Sequence, residues 1–172
     1  MTAPDLAQRL AAVEARLALQ ELLGRYAIAV DDHDADALGD CFTQDGSFGS
    51  ANSGGSVGRA AVVEGFRLRF DRDGPTLHVP QYQVLSRLGT STARGTVVGY
   101  AELARDGQTL VTSIRYDDEY AVEDGMWRFG SRQVHTLYAM PLPDLVAGGL
   151  AWADRKRWPG AVSSAGELPL WG

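Results

Sequence analysis

The feature that most constrains this chain is a change of texture at Thr76. From there to Met140 the sequence reads as four long runs, "TLHVPQYQVLS", "STARGTVVGYAEL", "QTLVTSIRYDDEYAVE" and "MWRFGSRQVHTLYAM", rich in β-branched and aromatic residues and divided by turn signals at Gly89, "RDG" and "EDG". Connections this short join antiparallel neighbours, so the second half of the chain is expected to form a hairpin-linked antiparallel sheet. Ahead of Thr76 the period is helical. Leu6, Leu10, Val13 and Leu17 recur at steps of three and four, and Leu22, Leu23, Tyr26, Ala27 and Val30 continue the pattern with an offset, which predicts a long or broken helix from about Asp5 to Val30. Asp34 is placed to cap a short helix running through Phe42. "DGSFGS" (45–50) adds a short strand, "SANSGGSVG" (50–58) reads as a flexible loop, and "RAAVVEGFRLRF" as a third helix ended by "DRDGP". Helices followed by an antiparallel sheet specify an α+β domain in which a curved sheet wraps the helices. The domain is expected over residues 1–140. The tail, 141–172, is irregular apart from a turn of helix around "GLAWADRKRW".

Composition narrows the function. The 172 residues suffice for one domain with a real core, and a net charge of −6 without any basic run excludes the phosphate-neutralising surface that nucleic acid requires. Asp5, Arg9, Glu14 and Arg16 interrupt the N-terminal apolar residues, so neither a signal-peptide core nor a membrane span is expected there and the protein reads as cytoplasmic. The single cysteine, Cys41, has no disulfide partner and no zinc-ligand spacing around it, and reads as a small core residue; no metal site is expected.

"VDDHD" (30–34) closes the first helix with three aspartates and a histidine, where the helix dipole disfavours carboxylates. Asp34 has a capping role; Asp32 and His33 read as exit-loop residues. Asp31 is either solvated with them or has a use elsewhere. A second isolated polar residue, His78, opens the first long strand two residues before Pro80. On the residues alone it reads as a structural histidine, with a base as the alternative. "IRYDDEY" places Asp117, Asp118 and Glu119 side by side on a strand, where only alternate members share a face; solvation near a hairpin end is the expectation.

The ordered series "ELLGRYAIAVDDHDADALGDCFTQDGSF", "GRAAVVEGF", "LHV" and "IRYDDEYAVEDGMWRFGSRQV" resembles the SnoaL-like branch of the nuclear-transport-factor-like superfamily over roughly residues 10–140. The resemblance implies a cone-shaped sheet enclosing a pocket. Within that branch the chain is most similar to scytalone dehydratases, bile-acid 7α-dehydratases and hexachlorocyclohexane dehydrochlorinase, cofactor-free eliminating enzymes that use a His and an Asp inside the cone. It therefore implies a cofactor-independent lyase acting on a small apolar cyclic hydroxy-carbonyl compound. His78 would be the base, Asp31 its orienting partner, Tyr26 the group assisting departure of the leaving oxygen, and Arg132 a pocket cation that stabilises an enolate. Tyrosine at position 26, where the dehydrochlorinase has lysine, favours an oxygen leaving group over chloride. Tyr100, Glu102, Tyr116, Thr136 and Trp152 complete the expected substrate-binding set, while His135, of opposite parity to Arg132, is expected at a surface or interface. A cofactor-free isomerase, a polyketide cyclase, a non-catalytic binding protein and an oxygenase small subunit remain as alternatives. Because the strands are apolar on both faces, the convex side of the sheet is expected to bury itself against another copy, and the resemblance to the dehydratases, which are homotrimers, implies a homotrimer, with a dimer as runner-up. Leu145, Leu150, Trp152 and Trp158 would cost roughly 1.5–3 kcal/mol each if left in water, so the tail is expected to pack over the pocket mouth.

Overall fold

The first helix, α1 (Leu6–Asp31), is continuous. Asp5 caps it through a capping box with Gln8, and its apolar character changes along its length: Leu6, Leu10, Val13 and Leu17 are exposed, whereas Leu19, Leu22, Leu23, Tyr26 and Val30 are buried against the sheet. This computed structural model describes residues 5–50 and 54–167. His33 ends α1 with φ of 55° and stacks on Phe70, after which the Asp34 carboxylate accepts from the backbone N–H groups of Asp36 and Ala37 to start α2 (Ala35–Asp40). Next come β1 (Phe42–Ser50), β2 (Gly54–Val57) and α3 (Arg59–Phe70). The long strands are β3 (Thr76–Leu88), β4 (Thr92–Arg105), β5 (Gln108–Glu123) and β6 (Met126–Pro141), followed by α4 (Leu142–Val146) and a 3-10 turn at Gly149–Ala151.

The six strands form one curved, unclosed sheet in the order β2-β1-β6-β5-β4-β3. Asp106 with Gly107, and Asp124 with Gly125, all have positive φ, the geometry of two-residue hairpin turns whose twist matches the strands they join. Two expectations change. The segment 50–58 is not simply a loop, because residues 54–57 pair antiparallel with β1; a Cβ on Gly55 would stand 2.5 Å from the Phe48 carbonyl oxygen, so only glycine lets the two strands close. Residues 51–53 of that segment lie outside the described residues. The sheet is also not wholly antiparallel: β1 runs parallel to β6. The pair is linked through the whole of the intervening chain, so no hairpin dictates its direction.

Register assigns the faces. On β4 and β5 the pairs Val97 with Tyr116, Gly99 with Ile114 and Ala101 with Thr112 turn inward under α1 and α3, and on β6 the inward series includes Phe129, Arg132, Val134 and Thr136. A one-residue bulge at Gly130 shifts the parity between Phe129 and Arg132. The inner layer is aromatic, with the Tyr26 ring making edge contacts to Phe42, Phe66, Tyr116 and Phe129 at 5.6–6.4 Å between centroids. Cys41 is buried in this core, and burial pushes its thiol up to about 11, in keeping with a packing role. On the outer face of the edge strand β3, Leu77, Val79, Tyr82 and Val84 form an exposed apolar row. No helix among the described residues is long and apolar enough to cross a membrane.

Candidate active site

The carboxylate of Asp31 is used inside the fold. It accepts hydrogen bonds from the Thr76 hydroxyl at 2.9 Å and from the His78 main-chain N–H at 2.8 and 3.0 Å, and it meets the His78 ring Nδ1 at 2.7 Å. These donors outweigh the unfavourable dipole at the end of α1, and they fasten the helix to the start of β3. With Nδ1 directed at the carboxylate, the tautomer that donates there carries its lone pair on Nε2. Both side chains are about one-fifth exposed, so the pair is shielded yet reachable.

His78 lines a small inner cavity with Tyr26, Val97, Ile114, Tyr116 and Arg132, whose volume of about 10 Å³ has room for about one water molecule. Burial holds the Tyr26 hydroxyl well above its ordinary range, with Tyr116 adding to the effect, so it stays protonated and serves as a donor. Tyr116 is raised by burial as well. Arg132 is fully buried. Its guanidinium lies 3.9 Å from the Tyr116 ring centroid, 4.4 Å from that of Tyr26 and 4.2 Å from that of Phe129.

Arg132 is paired with Asp118, which corrects the reading of "IRYDDEY". Asp118 is 2% exposed, and Arg132 donates to it through Nε and Nη2 at 3.1 Å each while the Tyr120 hydroxyl donates at 2.8 Å. Burial pushes the Asp118 carboxyl upward against the pull of Arg132 and Tyr120. On Arg132 burial opposes the charge, but Asp118 and the surrounding tyrosines more than offset it and raise the pKa. The clue was parity: Asp118 alternates with Tyr116 and Tyr120, two residues that belong inside. Asp117 and Glu119 face outward as expected, and Asp117 bonds His135, likewise on the outer face, at 3.0 Å.

The remaining expected residues divide. Tyr116 lines the inner cavity, and Thr136 lines a larger cleft of about 630 Å³ that shares Ile114 with it. Tyr100 and Glu102 pair with Ser113 and Val111, on the face opposite Gly99 and Ala101; although Tyr100 borders the inner cavity, its side chain bonds Glu102 on the outer side. Alternation puts the two on one face of the strand but does not say which face is the inner one. Trp152 stands against Arg157, 5.0 Å from ring centroid to guanidinium carbon, and lines neither cavity. Trp158 supplies the tail's aromatic ring to the cleft instead, with Arg105 lying 4.8 Å from its centroid. The tail is held by backbone bonds to the end of β6, from Ala139 N–H to the Arg155 carbonyl and from Glu167 N–H to the Thr136 carbonyl. Among the described residues no group of three or more His, Cys, Asp or Glu is arranged to hold a metal ion.

A family model of the SnoaL-like domain matches residues 11–133. A search of curated protein sequences found no match. Among solved structures, a type 2 hexachlorocyclohexane dehydrochlorinase aligns over 89% of this chain and 99% of its own, with 18% identity and a TM-score of 0.73. A candidate scytalone dehydratase from Novosphingobium aromaticivorans aligns over 76% and 89%, with 18% identity and a TM-score of 0.71. A candidate aromatic ring hydroxylase from Novosphingobium aromaticivorans aligns over 77% and 96%, with 26% identity and a TM-score of 0.71. These likenesses establish a common fold, and the family match covers both the Asp31–His78 pair and the Asp118–Arg132 pair: the chain belongs to the SnoaL-like domain family.

Proposed function

We propose that the protein is a cofactor-independent lyase of the dehydratase type, acting on a small, largely apolar cyclic hydroxy-carbonyl compound. The observation that carries this reading is the 2.7 Å contact between Asp31 and His78 Nδ1 at the wall of an aromatic cavity. His78 Nε2 takes a proton from the carbon next to the carbonyl, and the electrons of that C–H bond pass into an enolate whose oxygen faces Arg132. The enolate re-forms the carbonyl as the C–O bond to the hydroxyl breaks. The departing oxygen accepts a hydrogen bond from Tyr26 and receives the proton carried by His78, which completes the water and restores the base. Since the inner cavity admits about one water, the body of the substrate occupies the adjoining cleft and presents only its reacting edge to His78.

A panel of cyclic β-hydroxy-ketones, followed by enone absorbance and by mass, tests the proposal. Loss of 18 mass units with wild-type protein supports a lyase; an isobaric product would reassign the same base to an isomerase or cyclase. Tight binding without turnover across the panel would favour a container protein, and copurification with a large iron-containing subunit an oxygenase component.

Two further expectations belong to the same reading. The tail forms one wall of the cleft, so Trp158→Ala is expected to weaken substrate binding by about tenfold, ~1.4 kcal/mol, with the fold intact; unchanged affinity would remove the tail from the site. The apolar row on β3 lies beside an unpaired sheet edge, and a second copy would cover both. Light scattering at micromolar concentration is expected to show a homotrimer, with a dimer as runner-up, and a monomer would refute this assembly.

A further inference from the structure

The 630 Å³ cleft carries more positive charge than its acids neutralise. Four cations line it, Arg69, Arg72, Arg105 and Lys156, against two carboxylates, Asp73 and Glu167. Arg105 and Arg72 both fork onto Asp73, Arg105 at 2.6 and 2.9 Å and Arg72 at 3.0 and 3.1 Å, and Lys156 pairs with Glu167. Both acids are thereby occupied. Arg69 is left without an ion pair to any carboxylate among the described residues, in a protein whose formal charge is −6.

Arg69 is also held in place. It sits in the last turn of α3, where Arg67 points to solvent at 53% side-chain exposure, whereas the Arg69 guanidinium lies over the rings of Phe48 at 4.8 Å and Phe66 at 4.6 Å. Burial pushes its pKa below the usual arginine range, the sign of a cation short of compensation. The Phe66 ring beneath it makes an edge contact to Tyr26 of the inner cavity, 6.2 Å between centroids, so Arg69 lines the cleft on the side nearest the cavity that holds His78. A desolvated guanidinium fixed by aromatic stacking, with its planar fork uncommitted, is matched by a carboxylate, which can accept two parallel N–H bonds.

We propose that Arg69 anchors a carboxylate of the substrate, so that the compound turned over is a hydroxy-carbonyl acid rather than a neutral ketone. The proposal rests on the lyase reading for the word substrate, but the anion site itself does not. A binding experiment therefore separates the two. Benzoate and its neutral isostere benzamide are titrated into the full chain, with intrinsic tryptophan fluorescence or amide chemical shifts as the readout. Wild-type protein is expected to prefer benzoate by roughly ten- to hundredfold. Arg69→Gln is expected to abolish the preference while leaving benzamide binding unchanged, and Arg69→Lys, which keeps the charge but loses the fork, to retain part of it. Circular dichroism of each variant checks the fold, and Arg69→Lys carries the test if Arg69→Gln does not fold. Equal binding of the two probes, no binding of benzoate, or a preference that survives intact in the Arg69 variants would overturn the assignment; the last would move the anion to Arg105 or Lys156. Failure of the ketone panel and of the same hydroxy-ketones bearing a carboxylate, combined with Arg69-dependent benzoate binding, would sink the lyase and leave the anion site standing.

Discussion

Replacing His78 with alanine is expected to lower kcat/KM on the best hydroxy-carbonyl substrate by roughly 10² to 10⁴, or ~3–5 kcal/mol of transition-state stabilisation, with little change in thermal stability. The two halves of this expectation come from one geometry. The Asp31 carboxylate has three kinds of donor, and two of them, the Thr76 hydroxyl and the main-chain N–H of residue 78, survive in the variant. The join between α1 and β3 therefore persists while the base is lost. Asp31→Asn is a different disturbance. Its amide can donate as well as accept, which permits the wrong imidazole tautomer and also weakens the bond to Thr76, so it should reduce turnover by roughly 10² and stability by about 1 kcal/mol. A His78→Ala protein that keeps wild-type turnover would end the proposed mechanism. One that no longer folds would show His78 to be a structural residue.

Asp118→Ala should be the most damaging substitution outside the hydrophobic core. It leaves the Arg132 guanidinium charged, buried and without its carboxylate, a situation that costs roughly 3–5 kcal/mol and lowers Tm on the order of 10 °C in a domain of this size. The Tyr120 hydroxyl, which donates to Asp118 and accepts from the Gln83 side-chain amide at 2.9 Å, loses an acceptor at the same time. The double replacement of Asp118 and Arg132 by leucine and methionine is expected to recover most of the stability, because the cost arises from the orphaned charge and not from loss of a net-favourable pair. Turnover should not recover, since no cation then faces the enolate. A melting temperature for Asp118→Ala within 2 °C of wild type would mean that the arginine finds another partner or water.

Much of the fold was legible because it is local. Helix starts are written in side chains that bond their own backbone, as at Asp5 and Asp34, and the hairpins in Asp-Gly pairs that tolerate positive φ. The period of the apolar residues separated helices from strands, and the bulge at Gly130 announced itself as a change of alternation. The pairing of Asp31 with His78 was an expectation drawn from family resemblance, since nothing in the residues between them states the contact.

What the sequence by itself determined, then, is the three N-terminal helices, the long strands, their order and the antiparallel linkage of the last four strands, though not the short β2 or α4, because short-range sterics and turn chemistry decide these. Tertiary structure alone decided which side of each strand faces the cavity. Period two gives two faces but does not label them, so Asp118 went inside and Glu102 outside against expectation, while Tyr100, of the outer parity, borders the inner cavity. It also set the direction of β1 beside β6, brought Thr76 under Asp31, chose Trp158 over Trp152 for the cleft, and left Arg69 without a carboxylate among the described residues. Each depends on where a distant segment arrives, and a chain's local preferences carry no record of that arrival until the core has packed.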